Sequence, residues 1–166
     1  MQLPSWDVFI GLFFLVGIAY GFILRRDKAI TTLLSVYLGI VVASRFSQDI
    51  FDFFNGEKVI ADQIWIRSNA SASTIAVVLF LLTIVLISGA INSSNSRTSD
   101  ISPIEVISYS ALTIALILAY VLDFLPEPAR LHYMEVSRIA KYIYTFKTLI
   151  TIAPPIILIA LNYKRK

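Results

Sequence analysis

The chain has 166 residues, of which 57% are hydrophobic and 15% are charged. Soluble domains typically carry about 25% charged residues, so this composition predicts an integral membrane protein, and the length leaves no room for a separate catalytic domain. The net charge of +3 requires no nucleic-acid partner, because the basic residues flank apolar segments. The sequence has no cysteine, which excludes disulfides, thiol nucleophiles, iron–sulfur clusters and thiolate zinc sites.

Five apolar segments follow one another along the chain, and we interpret them as membrane spans. A span needs about 20 residues, with a range of roughly 17–25. The first is predicted to be a retained helix, since no basic region or cleavage site of a signal peptide precedes it. The first two are slightly short, and the flanking Trp6 and Phe46 compensate at the membrane interface. The segments cover residues 8–24, 29–44, 73–91, 104–125 and 148–163.

The fifth segment has two interpretations. It is short, and Pro154-Pro155 interrupts its middle. A membrane helix tolerates proline where neighbouring groups satisfy the freed carbonyls, so a kinked span is favoured over a re-entrant segment. If the segment instead lies flat, the protein has four spans.

Two connecting segments have an amphipathic pattern. In residues 46–54, Phe46, Ile50, Phe53 and Phe54 share one helical face, and in residues 130–146 an apolar stripe is formed by Val136, Ile139, Ile143 and Phe146. Both segments are predicted to be interfacial helices on the bilayer surface. Ordinary amphipathic connectors packed against the bundle are an equally good interpretation.

The basic residues predict the orientation of the chain. Arg25, Arg26 and Lys28 occupy the connection between the first two segments, and Lys164, Arg165 and Lys166 end the sequence. Five spans place both clusters on the cytoplasmic side, with the N-terminus outside. Four spans would move the C-terminus outside.

Small residues recur at four-residue spacing on three of the predicted helices. Lipid provides little hydrophobic force for helix association, so close approach of small residues matters. Because residues 25–28 form a short connection, we expect the first two helices to be antiparallel neighbours whose small faces meet. A homodimer through the glycines is the alternative. The faces are Gly17 and Gly21; Ser35, Gly39 and Ala43; and Ala111, Ala115 and Ala119.

No pattern of catalytic or metal-binding residues is recognised. Asp7, Arg45, Glu105 and Asp123 lie near predicted helix ends, where water or headgroups can solvate them. The single histidine, His132, lies beside charged residues and is interpreted as a headgroup contact. The sequence therefore predicts no enzyme, cofactor or metal site, and an intramembrane enzyme is the alternative.

The sequence resembles the bacterial colicin V production protein family over residues 5–123. The similarity lies in Trp6-Asp7 at the start, the basic turn, Ala43-Ser44 at the end of the second helix, Gly89-Ala90-Ile91 closing the third and Asp123 near the end of the fourth. The family often has an Arg-Gly pair where this chain has Tyr20-Gly21, and its fourth helix tends to carry glycines. The resemblance implies a multi-span inner-membrane protein linked to toxin production or export, or to envelope maintenance, without an agreed biochemical activity.

Together these observations predict an all-α membrane protein, a bundle of four to five transmembrane helices with amphipathic interfacial helices. The leading functional hypothesis is a non-enzymatic protein of the colicin V production type in the bacterial inner membrane. Its partners would be the lipid bilayer and other membrane proteins or further copies of itself. The alternative is a small transporter or channel subunit, for which Thr83, Ser88, Ser108, Ser110 and Thr113 are the polar candidates.

Overall fold

The computed structural model describes residues 5–54, 71–91 and 103–163, without the side chains of residues 24–26 and 161–163. These ranges are helical and contain no strand, which confirms the predicted all-α fold class. The helices are α1 (Trp6–Phe54), α2 (Ala72–Ala90), α3 (Pro103–Phe124), α4 (Glu127–Val136), α5 (Arg138–Thr145) and α6 (Lys147–Tyr163).

The N-terminal segment of α1, Trp6–Ile23, runs antiparallel to α3. A Cβ atom added to Gly17 would lie 2.8 Å from Cγ1 of Ile114, and one added to Gly21 would lie 2.8 Å from Cβ of Ser110. Near the start of α1, Ile10 shares a core cluster with Leu122. As residue numbers rise along α1, they therefore fall along α3.

The C-terminal segment of α1, Asp27–Phe54, runs in the opposite direction. Its early residue Leu33 shares a core cluster with Tyr109. Further along, Gly39 packs against Phe80, whose ring lies 5.6 Å from that of Phe124. Residue numbers thus rise together along this segment and α3. The residues of α1 are helical from Trp6 to Phe54, but these contacts make its two segments antiparallel. The chain therefore reverses between Gly21 and Lys28, where the basic turn was predicted.

Helix α2 lies antiparallel to the C-terminal segment of α1 and is capped at both ends. Ser71 is its N-cap, accepting a 3.2 Å hydrogen bond from the amide of Thr74. At the other end, the Lys28 ammonium donates to the carbonyls of Ser88 and Ile91. A cation at a helix C-terminus satisfies terminal carbonyls and interacts favourably with the helix dipole. One basic turn residue therefore joins α1 to the end of α2.

The predicted interfacial helix at residues 46–54 is not a separate element. The second segment of α1 continues to Phe54 and has 28 residues, about 42 Å of helix at 1.5 Å per residue. The sequence becomes more polar after Ser44, but no proline or glycine occurs before Gly56. A change of polarity does not interrupt backbone hydrogen bonding, so the prediction of a helix end near residue 44 was wrong.

The predicted interfacial helix at residues 130–146 is two helices. Ser137 has an extended backbone, with φ −132° and ψ 120°, and separates α4 from α5 while its hydroxyl caps α5. Of the predicted apolar stripe, Ile143 is buried, whereas Val136 and Phe146 are exposed. Since α5 packs Ala140 and Ile143 onto Ile10 and Leu122, this region covers one end of the bundle.

The fifth predicted segment is helical and returns along α3. Helix α6 retains Pro154 and Pro155 inside it. The Lys147 ammonium at its start donates a hydrogen bond to the Asp123 carboxylate near the end of α3. One turn later, the Thr151 hydroxyl lies 3.3 Å from the Tyr120 hydroxyl. α6 is therefore antiparallel to α3 and heads toward the end of the bundle where α1 reverses. Together with α5 it makes a pair bent by 66°, and whether this pair crosses the membrane or is re-entrant stays a prediction.

Within the described ranges, four helical segments are long and apolar enough to cross a bilayer, or five if the bent pair counts as one span. They are the two segments of α1, α2 and α3. Four to five such helices fit a multi-pass membrane protein in contact with lipid. The exposed surface is accordingly rich in large apolar side chains, such as Phe9, Ile23 and Val85.

Candidate functional site

The predicted small-residue faces pack, but not against each other. Gly17 and Gly21 contact Ile114 and Ser110 of α3, whereas Gly39 contacts Phe80 and Ile84 of α2. Ser35, Gly39 and Ala43 are all buried, and of the alanines on α3, Ala119 is buried while Ala111 and Ala115 are half-buried. The predicted contact between the two faces of α1 was wrong, because α3 and α2 occupy those faces. Because α3 packs against Gly17 and Gly21, a homodimer through these glycines would have to displace it, and that alternative stays untested.

Of the residues predicted to set the topology, the structure describes the side chain of Lys28 alone, at the C-terminus of α2. Lys164, Arg165 and Lys166 lie outside the described residues, as do the side chains of Arg25 and Arg26. The reversal of α1 and the C-terminal end of α6 lie toward the same end of the bundle.

Asp7 joins the start of α1 to the start of α5. Its carboxylate accepts a 2.5 Å hydrogen bond from the Ser137 hydroxyl and a 3.1 Å bond from the Ile139 amide. The Ser137 oxygen in turn accepts from the amide of Ala140 at 3.0 Å. Asp7 therefore satisfies terminal amide and hydroxyl groups of a different helix, rather than only the first turn of its own.

We expect Asp7→Ala to loosen α5 from the bundle. Losing an N-terminal cap costs about 0.5–2 kcal/mol, and the Ser137 hydroxyl also loses its acceptor. Hydrogen exchange of the Ile139 amide should become faster in detergent. Asp49→Ala, which removes an exposed carboxylate from the far end of α1, serves as control. Equal protection in both variants would contradict the role of Asp7.

A face of α3 turned toward the other helices carries polar side chains along its whole length. Five residues share this face. They are separated along the chain by 4, 4, 7 and 3 positions, and at 100° per residue they fall within an arc of about 80° around the helix axis. Leu116 is the apolar member between the third and the fourth. We call this set the polar face of α3: Glu105, Tyr109, Thr113, Tyr120 and Asp123.

The half of the polar face near the reversal of α1 is deeply buried. Glu105 is 9% exposed, Thr113 is 6% exposed and Tyr109 is fully buried. The Thr113 hydroxyl donates to the Tyr109 carbonyl at 2.7 Å. The Tyr109 hydroxyl and the Ser110 hydroxyl, which lies over Gly21, have no hydrogen-bond partner among the described residues. Although its neighbour Ile104 is 72% exposed, the Glu105 side chain is buried, so the expectation that water or headgroups solvate it was wrong.

The other half of the polar face joins α1 and α6. The Tyr37 hydroxyl donates a 2.6 Å hydrogen bond to the carbonyl of Thr151. In a regular helix this carbonyl would accept from residue 155, but Pro155 has no N–H. Tyr37 thus supplies the bond that the proline removes, as a proline-containing membrane helix requires. The Thr151 hydroxyl lies 3.3 Å from that of Tyr120, which extends the hydrogen-bonded group to α3.

Charged groups close this end of the site. The Lys147 ammonium lies 2.6 Å from the Asp123 carboxylate, with both side chains about one quarter exposed. The same ammonium lies 5.7 Å from the ring of Tyr120 and 5.5 Å from that of Tyr144, and the Arg130 guanidinium is 5.3 Å from the Tyr144 ring. Cations at these distances from tyrosine rings are stabilised by the ring quadrupole.

The polar face combines groups that bind and exchange protons with a position inside the bundle. A carboxylate lies near each end, and hydroxyl groups that both donate and accept hydrogen bonds lie between them. Among the described residues, no group of three or more histidine or acidic side chains could hold a metal ion. His132 is exposed beside Tyr133, and its contact with headgroups stays a prediction.

Sequence reasoning missed the polar face because it considered each member separately. Glu105 and Asp123 were interpreted as helix-end residues, and only Thr113 was considered as part of a polar path. The spacing of the five positions is visible in the sequence. What the sequence could not show is that this side of α3 faces the bundle and not the lipid.

The three comparisons with known proteins returned no match: no family model, no curated protein and no solved structure is similar to this chain. The polar face therefore has to be interpreted from its own chemistry.

Proposed function

We propose that the protein is a small transporter or channel subunit of a bacterial inner membrane, with the polar face of α3 as its path. The observation that supports this proposal is the row of buried polar side chains along the interior side of one membrane helix. Apolar side chains would pack a bundle at lower cost, since each buried polar group must be satisfied. Polar and ionisable residues inside membrane proteins usually serve ion or substrate pathways.

The proposal is tested by flux measurements on purified protein in liposomes. Thr113→Val keeps the volume and shape of a buried side chain but removes its hydroxyl, so we expect uptake of ions or small solutes to decrease. Ser108, one of the polar candidates from the sequence, lies outside the polar face, because its hydroxyl bonds the Ile104 carbonyl on the exposed side of the same helix. Ser108→Ala is therefore the matched control. No flux above protein-free vesicles, or equal loss in both variants, would refute the proposed path.

A second candidate is a protein of the colicin V production type that acts through partners in toxin production or envelope homeostasis. The observation that favours it, beyond the resemblance, is the exposure of the N-terminal segment of α1. Only 6% of its 18 residues are buried, and Phe9, Phe13 and Val16 are open to lipid or to another protein. Photo-crosslinkers at Phe13 and, as control, at Val85 of α2 test this candidate. A discrete partner captured from Phe13 alone would support it, and lipid adducts alone at both positions would refute it.

The direction of α6 leads to a prediction about topology. α6 runs from Asp123 toward the end of the bundle where α1 reverses, so the C-terminus should lie on the side of Arg25 and Arg26. We propose that this side is the cytoplasm, following the distribution of basic residues. A reporter that is active only in the cytoplasm should therefore give a signal both after Lys166 and when inserted at Arg26. A signal from only one position would contradict the five-span arrangement.

A further inference from the structure

We propose that the species carried along the polar face of α3 is the proton. This inference rests on the proposed function and specifies its substrate. It depends on three features of the described residues: the filled interior of the bundle, the placement of carboxyl groups at both ends of the face, and the unpartnered hydroxyl of Tyr109 between them.

The interior of the bundle is filled with side chains. Tyr109, Leu116 and Phe80 are fully buried members of one core cluster. A hydrated sodium or potassium ion would have to displace these side chains. A proton instead passes from one oxygen atom to the next and needs space only for single water molecules. The packing therefore favours protons over larger solutes.

The carboxyl groups lie at the distance that a membrane path requires. Glu105 and Asp123 are 18 positions apart, or about 27 Å along a helix. This is close to the thickness of a bilayer's hydrocarbon core, which is about 30 Å. The Asp123 side chain is 27% exposed, and the buried Glu105 lies next to Ile104, which is 72% exposed. Each carboxyl group therefore lies near one surface, and the two residues serve as entry and exit groups.

Hydroxyl groups between the carboxylates can relay the proton. Tyr109 is fully buried and its hydroxyl has no partner among the described residues, although it lies on the same face as Glu105 and Thr113. Buried polar atoms of this kind commonly bind ordered water. The Thr113 hydroxyl donates to a carbonyl, and its oxygen retains capacity to accept. Water bound at Tyr109 would therefore connect Glu105 to Thr113.

The relay consumes no reactant other than the proton. A proton that binds the Glu105 carboxylate forms a carboxylic acid, which passes it to bound water. Each hydroxyl or water then releases one of its own protons as it accepts one, so no group is changed after a transfer. At Asp123 the proton neutralises the carboxylate beside the Lys147 ammonium before it leaves to bulk water. One proton enters, one leaves, and no electrons move.

Leu116 interrupts the row of polar side chains along α3. Thr113 and Tyr120 are seven positions apart, about 10 Å along α3, and Leu116 is the buried apolar residue between them. Only water can carry a proton across this distance. Leu116 therefore limits the rate, and a smaller polar residue at this position should make transfer faster.

The experiment uses the full chain in liposomes that contain a pH-sensitive dye, with a potassium diffusion potential as the driving force. We expect the wild type to carry protons, Glu105→Gln to return the rate to that of protein-free vesicles, and Leu116→Ser to raise it. Tyr109→Phe should be about tenfold slower, the rate equivalent of one hydrogen bond. Ser108→Ala should match the wild type. Size-exclusion profiles and circular dichroism verify that each variant is folded.

Sodium, potassium and glycerol fluxes measured in the same vesicles separate this inference from the proposed function. If any of these solutes passes and Thr113→Val reduces its flux, but protons do not pass, the proton assignment is wrong and the proposed function stands. If nothing passes, both are wrong. Proton flux that is equal in wild type, Glu105→Gln and Tyr109→Phe would show that protons take a different route.

Discussion

Gly21→Leu is expected to separate the N-terminal segment of α1 from α3. A Cβ atom at residue 21 would overlap the Ser110 side chain and lie 3.8 Å from Val106, so a leucine has no space unless the helices move apart. Overpacking of this kind costs about 1–3 kcal/mol. This segment has few other buried contacts, so we expect its docking to be lost rather than merely strained.

Disulfide formation measures the separation directly. Since the chain has no native cysteine, cysteines introduced at the clustered residues Ile10 and Ala119 report only on this interface. Their cross-linking should decrease strongly with Gly21→Leu. Gly11→Ala is the matched control, because a Cβ atom there has no neighbour within 4 Å.

A compensating change tests the mechanism. Gly21→Ala alone should weaken cross-linking, and Gly21→Ala combined with Ser110→Gly should restore it, because the second substitution removes the atoms that the new methyl group meets. Without this rescue, the close approach of Gly21 and Ser110 would not explain the effect.

Tyr37→Phe is expected to destabilise α6 by about 1–3 kcal/mol, the usual cost of leaving a buried acceptor without its partner. The substitution keeps the ring and removes only the hydroxyl that donates to the Thr151 carbonyl. That carbonyl has no donor four residues later, because residue 155 is proline. The loss should be measurable as a lower unfolding midpoint in detergent and faster proteolysis of α6.

Two further variants decide whether the freed carbonyl is the reason. Pro155→Ala provides the missing N–H, so it should rescue Tyr37→Phe by restoring the regular helical bond. Tyr142→Phe, which removes an exposed tyrosine hydroxyl, should have no effect. If Pro155→Ala fails to rescue, Tyr37 stabilises the protein by another route.

The extent of the apolar helices could be predicted from sequence. The predicted spans at residues 73–91 and 104–125 differ by one residue at each end from α2 (Ala72–Ala90) and α3 (Pro103–Phe124). The agreement is close because polar residues flank each long apolar run and mark where it ends. The hairpin between the first two spans was also predicted, since four charged or polar connecting residues permit no other path between two membrane helices. These features depend on local composition and chain length.

The partners of each helix face could not be predicted. Small residues at four-residue spacing indicate that some helix approaches closely, but they do not identify which one. Gly21 faces Ser110, 89 positions away, and the sequence contains no local signal for that pairing. The same reason explains the polar face of α3: its periodicity is visible in the chain, but its inward orientation depends on helices α1 and α6 that pack against it.

The placement of the N-terminal segment of α1 has a consequence for biosynthesis. This segment precedes its partners in the chain, because its contacts at Gly17 and Gly21 are with α3 and Asp7 bonds to Ser137, 130 positions later. The second segment of α1 and α2 can associate as soon as both are inserted. The N-terminal segment of α1 must therefore remain in lipid until α3 and Ser137 have been synthesised. Until then its glycines and aromatic residues are available to insertion factors, and this segment docks later than the α1–α2 contact that follows it in the chain.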